Sequence, residues 1–241
     1  METVKFGIGN ETPPTGKMNF LQRVVGIITS PAEVMKDLSE KPRILFPILV
    51  AALGTLIFYL LRLDLFKEFS THVVELGLEQ SNQAMTPQQV EAAKSMGWWI
   101  TLIATPFTGL FQWFISATVM FGLAKLLKGE GKYKQYLSVV GYSSVVIVLS
   151  LLITFAVSFF TNSIMLDSSL ANLTNLFAPG LKGSFLYGII RGIDLFIVWQ
   201  YCVIGIGIAV VSKLSKAKAY GIAALLCAVY ILMSANSLRM L

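Results

Sequence analysis

The chain has 241 residues, of which 55% are hydrophobic and 13% are charged. These proportions lie outside the range of ordinary soluble domains. The formal net charge of +6 would suit a nucleic-acid partner, but the basic residues alternate along the chain with long apolar stretches. Composition therefore excludes a water-soluble core and favours a protein whose solvent is the lipid bilayer.

The N-terminal region is predicted to hold a tail and two short helices. Residues 1–17 are rich in glycine and proline, which predicts a flexible cytoplasmic tail. The next ten residues carry apolar side chains at helical spacing beside Arg23, the pattern of a helix lying at the membrane surface. The segment Ser30-Pro31-Ala32-Glu33 then supplies a cap, a proline at the first helical position and a glutamate three residues after the cap. A second short helix is predicted to begin there.

Five long apolar stretches follow, separated by short charged segments. About 20 apolar residues are needed for a helix to cross a hydrocarbon core of roughly 30 Å, and runs of this length satisfy their backbone in lipid as helices. The predicted spans are residues 43–62, 98–124, 137–160, 192–212 and 219–238. Residues 18–241 are therefore predicted to form a single all-α polytopic membrane domain, with five transmembrane helices and short amphipathic interfacial helices.

The basic residues predict the orientation of these spans. Thirteen lysines and arginines lie in the tail and in the alternate loops that share its side of the membrane, against six on the other side. Because cytoplasmic loops are enriched in basic residues, the N-terminus is predicted to be cytoplasmic and the C-terminus outside. The predicted location is the inner (cytoplasmic) cell membrane, or an endomembrane if the source is eukaryotic.

The segment after the first span carries the candidate metal ligands. Residues 64–78 have helical periodicity, and Asp64, Glu68, His72, Glu75 and Glu79 recur on one face. Glu68, His72 and Glu75 could offer oxygen and imidazole ligands to a divalent cation, which would make the protein an outer-face metal-dependent enzyme. The alternative is the hydrated side of an amphipathic helix, which we prefer because no second histidine or cysteine cluster supports a metal. We predict no catalytic residues and no cofactor.

Arg191 and Asp194 form the one charged pair next to or within a predicted apolar span. Ionisable groups in membranes are costly and often mark function, so the pair could serve a small-solute or ion transporter or channel. The alternative is a structural pair that lies near the outer boundary and reaches water there. We prefer the structural interpretation.

One loop and the following span carry a family resemblance. Lys128-Gly129-Glu130-Gly131-Lys132-Tyr133-Lys134-Gln135-Tyr136-Leu137-Ser138-Val139-Val140-Gly141-Tyr142-Ser143 is a basic, glycine-containing turn that leads into a span opening with Gly141-Tyr142. It resembles the corresponding segment of the Yip family, the Ypt/Rab-interacting-protein-like membrane proteins. The segment Ile28–Val34, followed by Lys41-Pro42, is similar to the N-terminal entry of prokaryotic members.

Two departures limit what the resemblance implies. No Asp-Leu-Tyr-Gly-Pro-like motif precedes Pro42, so a Rab-type GTPase partner is not carried over. Ser143 to Val146 lack the proline that many relatives have after Gly-Tyr. For prokaryotic members, the resemblance implies an integral membrane protein that is sometimes an accessory to a transporter or envelope-stress system.

The leading hypothesis is thus a non-enzymatic accessory or scaffold protein that binds another membrane protein or organises local lipid. Its predicted partners are the lipid bilayer and another membrane protein, such as a transporter, envelope or trafficking component, and not nucleic acid. Gly188 and Gly192 lie four residues apart, a spacing that permits close helix packing. We favour packing within one chain, with a homo-oligomer as the alternative.

Overall fold

The structure is a computed structural model that describes residues 18–80, 86–164 and 168–239. The predicted tail at residues 1–17 lies outside these residues. The helices are α1 (Phe20–Thr29), α2 (Pro31–Glu40), α3 (Leu45–Leu49), α4 (Thr55–Leu61), α5 (Leu63–Gln80), α6 (Pro87–Leu126), α7 (Tyr133–Ser143), α8 (Val145–Thr161), α9 (Ala171–Phe177), α10 (Phe185–Gly192), α11 (Leu195–Ser212) and α12 (Lys216–Leu238). Residues Val50–Gly54 form a π-helical segment between α3 and α4, and Pro179–Leu181 form a 3₁₀ turn.

Four helical segments of the described chain are long and apolar enough to cross a membrane: α6, α7 with α8, α11, and α12. The first predicted span is different. It occupies Leu45–Leu61, and at 1.5 Å per residue its 17 residues extend only about 25 Å. This segment passes as a span only together with α2, to which it is bent by 111°. The structure therefore supports an all-helical protein with four to five membrane spans.

The sequence Thr86-Pro87-Gln88-Gln89 repeats the cap, proline and third-position pattern of Ser30–Glu33 and predicts a helix from Pro87, which the structure confirms. Thr86 caps α6, and its side chain accepts a hydrogen bond from the backbone N–H of Gln89. In return, the side-chain oxygen of Gln89 accepts a hydrogen bond from the Thr86 N–H. This long helix runs from Pro87 directly into the second span. The helix predicted after Ser30 also forms, but the Ser30 side chain makes no capping bond in the described structure. A reciprocal cap is found instead one helix earlier, between Asn19 and Gln22.

Helix α11 lies at the centre of the bundle. It contacts α2, α7, α8 and α12, and its side chains Val203, Ile204 and Ile208 are buried. By contrast, α6 exposes Phe107 and Phe111, four residues apart. Residues at this spacing share one helix face, so α6 presents a lipid-facing stripe while α11 supplies the core.

Hydrogen bonds fasten the connections at one end of the bundle, which we name the α2 face. It contains α1, α2 and the turns at residues 127–132 and 213–215. The N–H of Glu130 donates to the Ser212 carbonyl at 2.8 Å, and Lys213 pairs with the Glu130 carboxylate at 2.6 Å. The side chain of Gln135 donates to the Ser39 carbonyl at 2.5 Å. We name the opposite end, with α5, α9 and α10, the α5 face.

Candidate functional site

The α2 face is built around a buried ion pair. Arg23 on α1 donates from Nε to Asp37 Oδ2 on α2 at 2.7 Å, and the two side chains are 6% and 0% exposed. The N–H of Met18 donates to the other Asp37 oxygen at 3.2 Å. Among the described residues, Nη2 of Arg23 has no hydrogen-bond partner. Asp37 is therefore the group that compensates this buried positive charge.

The buried position of Arg23 differs from the position that the sequence predicts for it on α1. The periodicity placed Arg23 on a polar side of a surface helix, but the structure turns it into the protein because Asp37 lies across the hairpin. The apolar residues Phe20, Leu21 and Val25 are instead half or more exposed. The hairpin of α1 and α2 thus buries Arg23 and Asp37 inside the protein. It exposes an apolar surface formed by Phe20, Leu21 and Val25, which we name the α1 stripe.

The Gly141-Tyr142 motif lies directly behind this hairpin. Gly141 faces Pro47 of α3 so closely that any side chain at this position would overlap the proline ring. Tyr142 is buried beside the Arg23–Asp37 pair, and its ring centroid lies 5.4 Å from that of Phe46. The motif is therefore the point where the first apolar segment, α7 and the N-terminal hairpin meet.

Two further hydrogen bonds join α7 to its neighbours. Ser138 donates from Oγ to the Arg43 carbonyl at 3.0 Å, at the entry to the first apolar segment. Trp113 of α6 donates from Nε1 to the Leu137 carbonyl at 3.0 Å. These bonds satisfy polar groups at the start of a span, where water is scarce.

The acidic stripe predicted on α5 is only partly brought together. His72 Nδ1 lies 4.0 Å from a Glu75 oxygen, and the other Glu75 oxygen pairs with Lys94 of α6 at 2.6 Å. The hydrogen bond and charge of Lys94 lower the pKa of Glu75, and the same bond raises the pKa of Lys94. No group of three or more potential metal ligands occurs within residues 18–80, 86–164 and 168–239. The Glu79 side chain lies outside the described part of the chain.

Asp194 acts as the N-cap of α11. Its Oδ1 accepts from the N–H groups of Phe196 at 2.8 Å and Ile197 at 3.2 Å, and Oδ2 accepts from the hydroxyl of Ser168. Arg191 occupies the last turn of α10, three residues away. A direct pairing of Arg191 with Asp194 stays a prediction. Neither residue lines the cavity that lies between α6, α8, α11 and α12.

Sequence reasoning missed two features. Arg23 and Asp37 are 14 residues apart, and only the turn at Ser30 brings them together. Gln112 and Gln200, each inside a predicted span, both line an intramembrane cavity. Isolated polar amides in apolar runs were the available signal for this cavity, since such groups are costly in lipid.

The apolar helices and the buried polar contacts at their ends define a polytopic α-helical membrane protein. The family model of the Yip1 domain matches residues 25–235, most of the chain, so this protein belongs to the Yip1-domain family. It is 23% identical over 193 residues to the membrane protein YknW of Bacillus subtilis (strain 168), a match covering 79% of each chain. No solved structure matches the chain. The resemblance to prokaryotic Yip proteins is thereby confirmed.

Proposed function

We propose that the protein is a non-enzymatic accessory or scaffold that binds another membrane protein through its α2 face. In the proposed topology this face and the N-terminus are cytoplasmic, the C-terminus lies outside, and the protein resides in the cytoplasmic membrane. Membership of the Yip1-domain family supports an integral membrane role. The basic residues of the turns at the α2 face support the orientation.

The observation that carries the proposal is the fixed exposure of the α1 stripe. Leu21 is 66% exposed although Ile27, on the same helix, is fully buried. The Arg23–Asp37 pair holds the helix in this orientation. Because a rigid apolar surface binds with little loss of conformational freedom, α1 is suited to pack against a transmembrane or interfacial helix of a partner.

In-membrane photo-crosslinking tests this proposal. A photoreactive amino acid at Leu21 is expected to give one discrete cross-linked membrane protein in native membranes, and the same amino acid at Val25 should give the same adduct. Ile27 is the matched control, because a fully buried position should give only intramolecular products. Cross-links from Leu21 to lipid alone, or to a second copy of this chain alone, would contradict a scaffold role for a different membrane protein.

A further inference from the structure

The first apolar segment, α6, α8, α11 and α12 surround a cavity of about 250 Å³. Its polar lining includes Gln112 of α6, Gln200 and Tyr201 of α11, and Tyr230 of α12. Its walls are otherwise mostly aliphatic. Among the described residues that line it, none is charged or a histidine. The cavity therefore combines several hydrogen-bonding groups with electrical neutrality.

The two glutamines lie at the same depth, near the middle of the membrane. The turn at the α2 face brings the ends of two spans together, because Gly129 donates to the Ala124 carbonyl and Glu130 to the Ser212 carbonyl, both at 2.8 Å. Gln112 precedes Ala124 by twelve residues, and Gln200 precedes Ser212 by twelve. At 1.5 Å per residue each amide is about 18 Å from that face, within a hydrocarbon core of roughly 30 Å.

Both glutamine side chains line the cavity, and Gln112 is exposed while Gln200 is half-buried. An amide in hydrocarbon without a partner is unfavourable, and polar groups in such positions commonly mark a functional site. The ring centroids of Tyr201 and Tyr230 lie 6.4 Å apart at 45°, so two phenols stand beside the amides. The site thus offers donors and acceptors for a bound molecule.

The backbone around the cavity is also irregular. Val50, Ala51 and Gly54 belong to the π-helical part of the first apolar segment, and all three line the cavity. Gly109 of α6 lies so close to the Ala51 carbonyl that a side chain there would overlap it. π-helical turns are rare in proteins, and those that occur are often at functional sites. The π-helical wall of this cavity is therefore an independent indication of binding.

We propose that this cavity binds the head of an uncharged amphiphile that carries hydroxyl or carbonyl groups. Neutral lining disfavours an anionic or cationic head, while the amides and phenols match hydroxyl and carbonyl oxygens. At about 30 Å³ per water molecule, 250 Å³ accommodates roughly eight waters, which suits a small head group whose apolar tail stays in the bilayer. A neutral glycerolipid and a quinone share this chemistry.

Thermal unfolding of the full chain in nanodiscs of phosphatidylcholine tests the proposal. The added probes are dioctanoylglycerol, a short-chain quinone, and the anionic dioctanoylphosphatidylglycerol. A neutral probe at a hundredfold excess over its Kd is expected to raise the melting temperature by about 5 to 10 °C, and the anionic probe is expected to leave it unchanged. Which neutral probe acts distinguishes a glycerolipid from a quinone.

Variants then locate the binding. Gln112→Leu and Gln200→Leu are each expected to weaken the Kd of the active neutral probe about 3- to 10-fold, the effect of one lost hydrogen bond. Phe111→Leu, on the lipid-facing side of the same helix turn, is the matched control and should change the Kd less than twofold. Ser116→Leu narrows the cavity from another lining position. It is tested in place of any glutamine variant that does not fold.

Three results would overturn the proposal. The first is an unchanged melting temperature with both neutral probes, and the second is an equal rise in melting temperature with the anionic probe. The third is an unchanged Kd of the neutral probe in the glutamine and Ser116 variants. The wild-type titration alone decides the first two, so a poorly folded variant does not leave the cavity untested. These results are also independent of whether a partner protein binds the α1 stripe.

Discussion

The Arg23–Asp37 pair gives the sharpest prediction about the stability of the α2 face. Arg23→Met and Asp37→Leu each remove one charge while keeping much of the side-chain volume. Asp37 is fully buried and Arg23 is 6% exposed, so either single substitution leaves an uncompensated charge inside the protein. Breaking a buried pair in this way costs about 3–5 kcal/mol of unfolding free energy.

That free energy translates into a measurable shift. For a chain of this size, each kcal/mol lowers the melting temperature by about 2–4 °C, so each single substitution should lower it by about 10 °C in detergent. The double substitution should recover much of the loss, because replacing both partners by apolar residues is often neutral or stabilising. Glu40→Gln, at an exposed position of the same helix, is the control and should have little effect.

The double-mutant cycle isolates the interaction between the two residues. Shifts that simply add in the double variant would show that Arg23 and Asp37 do not interact. Single variants as stable as Glu40→Gln would refute the burial of the pair. In either case α1 would not be held in the orientation that exposes its apolar stripe.

Three further predictions concern packing, pH and topology. Gly141→Leu should lower the melting temperature by about 5 °C through overpacking. Gly122→Leu is the control and should leave it unchanged, because no atom lies within 4 Å of a Cβ placed there. Equal shifts in the two variants would exclude the close contact with Pro47. An NMR titration should find the pKa of Glu75 below, and that of Lys94 above, the usual value for its side-chain type, because the two groups pair. The pairing therefore holds at neutral pH and is lost as pH falls through the lowered pKa or rises through the raised one. Lys94→Met should return the pKa of Glu75 towards its ordinary value, and an unchanged pKa would contradict the pairing. A reporter inserted in the turn at 127–132 should read as cytoplasmic and one at the C-terminus as extracytoplasmic, and a cytoplasmic C-terminus would mean an even number of spans.

The sequence predicts the helices of this protein better than it predicts their contacts. Composition and long apolar runs locate the second to fifth spans, because lipid admits few ways to satisfy a backbone. The Thr86 cap likewise locates the start of α6 from four residues. The first apolar segment is harder, since its bend against α2 and its π-helical turn depend on packing against Gly109 and Gly141, which lie far along the chain.

The candidate sites were harder to predict for the same reason. Gly141 and Tyr142 were found through family resemblance, whereas their contact with Pro47 and with the Arg23–Asp37 pair depends on the tertiary fold. Gln112 and Gln200 lie on helices separated by a third span. The periodicity of one helix cannot show that two residues on different helices line the same cavity.

The burial of α2 has a consequence for biosynthesis. Met35 packs against Gly207 of α11, a residue made about 170 positions later. At ribosomal rates of 5–20 residues per second, the N-terminal hairpin therefore waits roughly 10 to 30 s for its binding surface. During that interval the two opposite charges of α1 and α2 have no bundle to enter, and a nascent chain that stops before α11 displays an undocked hairpin. The N-terminal hairpin is thus translated early but docked late, and its docking reports that α11 has been made.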